Sequence, residues 1–172
     1  RGGVREGTVR RLRGASCRNF SYLVPLTALI MELNDKKFAV LVDADNISHR
    51  KIKDILDEIA NYGTPTIKRI YGDFTNPKFA AWKEVLLENS ITPIQQYAYT
   101  TGKNATDSAL IIDAMDILYT GNVDGFVLVT SDSDFTRLAI RLREAGKLVV
   151  GIGELKTPRP FTVSCHHFCY LN

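Results

Sequence analysis

The chain has 172 residues, 45% of them hydrophobic, which suits one domain with an ordinary core. Its formal charge of +3 is uneven, because residues 1–30 carry six arginines against one acid, Glu6, while the remaining 142 residues hold 16 basic and 18 acidic side chains. A net-negative body excludes nucleic-acid binding by global charge and leaves local patches, or bound metal ions, as the way to meet a phosphate.

Residues 1–35 read as an N-terminal extension. The Arg- and Gly-rich start and the apolar stretch Phe20–Met31 have the order of a secretory signal, but no clear small-residue cleavage site follows. Met31-Glu32-Leu33-Asn34-Asp35 reads like a natural start, so the competing readings are an added or upstream-encoded segment and a genuine interaction arm. A domain is expected over 36–172. Its first element is the apolar run Phe38–Val42, the signature of a central parallel strand buried on both faces. Ile47–Tyr62 carries a helical apolar stripe closed by Gly63. Then come a strand over Thr66–Tyr71, a helix over Pro77–Leu87 with proline at its start, and a short strand over Ile91–Tyr97. Ala105–Tyr119 is a strongly apolar helix, Gly125–Val129 a strand, and Phe135–Ala145 a helix stopped by Gly146. Leu148–Ile152, a short helix over Pro160–Cys165 and a last strand over Phe168–Leu171 complete the chain. This alternation implies an α/β fold with a mostly parallel sheet and helices on both faces. No apolar run reaches the roughly 18 residues of a membrane span. Cys17, Cys165 and Cys169 make no disulfide framework and fit a reducing, cytoplasmic setting.

Three acidic motifs fall at the junctions of these elements: Val42-Asp43-Ala44-Asp45-Asn46, Lys103-Asn104-Ala105-Thr106-Asp107, and Thr130-Ser131-Asp132-Ser133-Asp134-Phe135. Desolvating carboxylates costs several kcal/mol each, so gathering them serves something other than stability. Hard oxygen ligands of this kind suit Mg²⁺ or Mn²⁺. In open α/β sheets, function collects beyond the carboxyl ends of the strands, where Asp43, Asp107 and Asp132 are all expected. Asp134 and Asp45 lie two residues from a stronger carboxylate and act as ligands, through water, or as caps. Asn46 and Ser131 supply neutral oxygens or orienting hydrogen bonds. The plain alternative is that Asp107 and Ser133 only start helices. Asp113, six residues past Asp107, points to a different helix face. Lys103 and Arg69, with Lys68, Arg50 and Arg137, are candidates to touch phosphate. Cys165-His166-His167-Phe168-Cys169 has zinc-type ligands, but neighbouring strand residues face opposite ways and match no common finger.

The ordered set of motifs resembles the NYN family of PIN-like nucleases, in particular its LabA-like (DUF88) branch. The resemblance runs from about Lys37 to Leu171. It is carried by Leu41–Asn46, Gly102–Leu110, Asp113-Ala114-Met115-Asp116, Val129–Phe135 and Arg141–Gly146. It implies a PIN-like three-layer α/β/α sandwich with a mostly parallel central sheet, and a metal-dependent ribonuclease centre at Asp43, Asn46, Asp107, Asp132 and Asp134. Mg²⁺ or Mn²⁺ as cofactor, RNA as partner and pairing into a homodimer follow from the same resemblance. Two rivals remain open. One is a non-catalytic RNA-binding scaffold. The other is a haloacid-dehalogenase-type phosphatase using Asp43 and Asp45, although Ile47 stands where that motif wants Thr or Val.

Overall fold

Phe38–Val42 lies at the centre of strand β1 (Lys37–Asp43) in the computed structural model, which describes residues 36–97 and 105–171. The extension 1–35, together with Lys103 and Asn104, falls outside the described residues. β1 is joined by β2 (Thr64–Gly72), β3 (Thr92–Gln95), β4 (Gly125–Val129), β5 (Leu148–Glu154) and β6 (His167–Leu171). Among the described residues these form one six-stranded sheet in the order β3-β2-β1-β4-β5-β6, with every neighbouring pair parallel. The helices are α1 (Ile52–Ile59), α2 (Trp82–Glu88), α3 (Ala105–Thr120), α4 (Thr136–Glu144) and α5 (Arg159–Ser164).

The alternation of side chains along β1 divides the core in two. Val40 and Val42 pack with Ile52, Ile55, Trp82 and Leu86, from α1 and α2. Ala39 and Leu41 pack on the other face with Leu110, Ala114, Leu138 and Leu142, from α3 and α4. The result is the expected α/β/α sandwich. It explains why β1 and β4 read as unbroken apolar runs rather than alternating ones, since both faces are covered.

Local departures from the expected elements have identifiable causes. Ile47–Tyr62 is not one helix: a 3₁₀ turn over His49–Lys51 precedes α1. Ser48 is extended (φ −78°, ψ 135°), and the residues before it fold back onto Asp43 instead of continuing a helix. Pro77–Leu87 likewise divides into a 3₁₀ turn over Pro77–Phe79 and α2, the turn being capped by Asn76 Oδ1, which accepts from the Lys78 amide at 3.1 Å. β2 begins two residues earlier than the sequence suggests and includes Pro65. Because proline donates no hydrogen bond, the β1–β2 register shifts between Phe38 and Ala39, opposite it. Gly146, at φ +76°, closes α4 in the left-handed conformation that favours glycine. No helix among the described residues is long and apolar enough to cross a membrane.

Candidate metal centre

β1 and β4 are neighbours, with Val42 beside Val129, so the residues that follow these strands are brought together at the carboxyl edge. Asp43, the last residue of β1, is fully buried. Its Oδ1 accepts from the Asp45 amide at 3.0 Å, and its Oδ2 accepts from Asn46 Nδ2 at 2.6 Å and Thr130 Oγ1 at 3.0 Å. Burial nevertheless pushes the Asp43 carboxyl above its ordinary range, against the pull of these bonds. Asn46 thus orients a carboxylate, one of the two roles its amide suggested.

Thr130 joins the first motif to the third. Its hydroxyl donates to Asp43 and accepts from the Asp132 amide at 3.1 Å. Asp132 Oδ1 in turn accepts from the Asp134 amide at 2.9 Å and caps the 3₁₀ turn Ser133–Phe135. Fully buried Phe135 anchors that turn in the core beneath α3 and α4. Ser131 is buried, and its Oγ accepts from the Glu154 amide at 2.9 Å, tying the end of β4 to the end of β5. Gly153 on β5 makes the close approach possible: a Cβ there would lie 2.5 Å from the Thr130 carbonyl oxygen.

Asp107 enters from above on the first turn of α3. Asp107, Asp132 and Asp134 each offer a carboxylate oxygen, and the three oxygens lie within 4.8 Å of one another. The Asp107 carboxyl is pushed up to about 6, first by burial and then by the charges of Asp43, Asp132, Asp134 and Asp45. All donors are hard oxygens, and the raised proton affinity of Asp107 marks a place where added positive charge is favourable. The residues therefore fit a divalent cation. Asp43 lies beside this trio as its buried neighbour rather than within it.

The other candidates are spread more widely. Arg69 on β2 is ion-paired with Asp113 of α3, and Tyr71 donates its hydroxyl to the same carboxylate. This places Asp113 on the helix face that packs against β2 and commits Arg69 to bracing α3. Lys68 Nζ donates to the Asn89 carbonyl at 2.6 Å, at the C-terminal end of α2. Asp45 is exposed and receives Lys78 Nζ at 2.7 Å. The zinc-type residues stay apart. His166 Nδ1 accepts from the Val149 amide at 3.0 Å, while Cys169 meets Tyr62 Oη at 3.2 Å and Glu58 Oε1 at 3.3 Å. Among the described residues, the group of three acidic, His or Cys side chains poised for a metal is Asp107, Asp132 and Asp134. Sequence reasoning missed Thr130 and Lys78. A hydroxyl at the first position past an all-apolar strand, flanked by acids, is the signal for the former; Lys78 has none, since its partner is 33 residues away.

A model of the NYN domain matches residues 37–172. An uncharacterized protein of Methanocaldococcus jannaschii is 27% identical in a 123-residue alignment that covers 69% of this chain and 48% of that protein. The chain therefore spans about half the length of this curated relative. Among solved structures, a protein of unknown function from Vibrio parahaemolyticus superposes with a TM-score of 0.67 at 18% identity, covering 81% of this chain and 94% of the other. That likeness is one of fold.

Proposed function

The chain belongs to the NYN domain family, and from that premise we propose that it is a PIN-like ribonuclease of the LabA-like (DUF88) branch. It hydrolyses RNA phosphodiester bonds at the carboxylate cluster with Mg²⁺ or Mn²⁺, in the cytoplasm and as a homodimer, with residues 36–172 as the catalytic unit. The observation that carries this reading is the meeting of Asp107, Asp132 and Asp134 within 4.8 Å at the carboxyl edge of a parallel sheet.

These three side chains, with Asp43 beside them, would hold the ion. When bound, such an ion lowers the pKa of water and offsets the charge that develops on the phosphate. The chain's own contribution is placement. Asn46 and Thr130 fix the Asp43 carboxylate, and Thr130 passes that constraint to the Asp132 backbone. The Asp132–Asp134 turn holds two carboxylates in one geometry, so little reorganisation is required when charge arrives. A net-negative body makes this neutralisation the condition for meeting RNA at all. Asp43 is unsuited to be a phosphatase nucleophile, because it is fully buried with both oxygens accepting hydrogen bonds.

The test is cleavage of single- and double-stranded RNA and DNA with Mg²⁺, Mn²⁺ or EDTA, alongside Asp132→Asn and Asp43→Asn. Metal-dependent RNA cleavage is expected in the wild type. The Asp132→Asn loss should exceed the roughly 10- to 100-fold typical of residues that only support a metal ligand. Undiminished turnover by metal-saturated Asp132→Asn protein rejects the scheme. Calorimetric titration that finds no Mg²⁺ binding at millimolar concentrations favours the non-catalytic RNA-binding scaffold instead.

A further inference from the structure

A second concave surface opens on the same edge of the sheet, on the face of α1 and α2. Phe74, Phe79, Lys83, Leu86, Pro93 and Gln95 line a cavity of about 390 Å³. Its position follows from the fold: Phe74 comes two residues after β2 ends, and Gln95 is the last residue of β3. The volume lies within the range of small-ligand sites, and the lining has their usual chemistry of mostly apolar walls with few polar groups.

We propose that this cavity receives one unpaired base of the RNA strand whose backbone is held at the carboxylate cluster. The proposal rests on the ribonuclease reading and adds what that reading lacks, a reason for the enzyme to select single strands. Three observations support it. First, the Phe74 and Phe79 rings are 5.8 Å apart and inclined at 54°, and Phe74, only half-buried beside the buried Phe79, leaves ring surface for a planar group to lie against. Second, a short chain of contacts links the Phe79 wall of the cavity to the acidic edge. Lys78 Nζ lies 4.5 Å from the Phe79 ring centroid and 2.7 Å from Asp45 Oδ1, while the Asp45 amide bonds Asp43. Third, Lys83 in the lining is exposed and sets positive charge beside the apolar walls, where the phosphate flanking a base would lie, while the charge of Lys78 is taken up by Asp45.

The polar group in the wall also says how such a base is read. Gln95 Oε1 accepts from the Phe74 amide at 2.9 Å, and Gln95 Nε2 donates to Asp73 Oδ1 at 2.7 Å. Its amide is thus occupied in holding the Phe74 loop against β3. The pocket therefore recognises a base by its π-face, with tolerance for base identity. A base paired within a duplex cannot enter without first being unpaired and flipped out of its stack.

The experiment maps cleavage by wild-type protein, with Mg²⁺ or Mn²⁺, on a single-stranded RNA oligonucleotide. A matched series replaces one nucleotide at a time with an abasic one. Cutting should fall roughly tenfold at the one phosphate lying at a fixed offset from each abasic position, and persist elsewhere on the strand. Changing the identity of that base should shift the rate by less than its removal. In Phe74→Leu protein the dip should shrink, and Lys83→Gln should raise KM while the dip persists. A cleavage pattern indifferent to base removal overturns the base pocket alone and gives the cavity to another occupant. A blunt duplex cut as fast as a single strand overturns it too. Failure to cut any RNA overturns the ribonuclease reading and this proposal together.

Discussion

Replacing Asp107 with asparagine should stabilise the metal-free protein while depriving it of its response to metal. In the folded chain the Asp107 carboxyl titrates near 6 rather than at its ordinary 3.8. The folded state therefore holds this proton more tightly than the unfolded state does. Stability associated with the group is intact below about pH 4, falls as pH rises from about 4 to 6, and stays reduced above that. At roughly 1.4 kcal/mol per pKa unit the full penalty at pH 7.5 would be about 3 kcal/mol. Asp107 is only half-buried, and solvent screening together with the favourable N-terminus of α3 leaves about 1 kcal/mol. Guanidinium unfolding in EDTA at pH 7.5 should show Asp107→Asn more stable by that amount, or by about 3 °C in Tm. The advantage should vanish near pH 4, where the wild-type group is protonated. Millimolar Mg²⁺ or Mn²⁺ should raise the wild-type Tm well above the variant's. A wild type more stable than Asp107→Asn in EDTA at pH 7.5, or a difference that persists at pH 4, would refute the electrostatic reading of the cluster.

Two further substitutions test its supports. Thr130→Val keeps the shape of a buried side chain but removes the hydroxyl shared by Asp43 and the Asp132 amide, and should cost about 2–3 kcal/mol in equilibrium unfolding. A loss below about 0.5 kcal/mol would show that this hydroxyl bears no weight. Asp113→Ala strips Arg69 and the buried Tyr71 hydroxyl of their common partner and should cost about 3 kcal/mol, with Asp113→Asn recovering part of it. Calorimetry that finds both variants as stable as the wild type would return Arg69 to the group of residues free to meet a phosphate.

The strands and the edge where the carboxylates gather were legible because both depend on local signals. Phe38–Val42 and Gly125–Val129 could only be buried strands, and acids just past such strands could only lie at one edge of a parallel sheet. Asp134 was the harder case: sequence spacing ranks it behind Asp132, yet the turn capped by Asp132 swings it into the trio. Asp43 ranks high by spacing, but three hydrogen bonds and full burial make it the buried neighbour of that trio. What could not be read were partnerships over long separations. Arg69 and Asp113 are 44 residues apart, and Thr130 and Asp43 are 87 apart. No periodicity encodes such pairs. They depend on which strands become neighbours, and the insertion of β4 directly beside β1 is a property of the whole topology.

That insertion has a consequence for when the centre can exist. Between the residues that become neighbours at the ends of β1 and β4, the chain must lay down β2, β3 and three helices. A nascent polypeptide emerging from its first residue thus exposes Asp43 long before Asp132 has been synthesised. No contiguous fragment short of that span contains the trio together with Asp43, its buried neighbour. Affinity for a divalent ion would accordingly report completed long-range strand pairing, and a partly made or clipped chain would lack it.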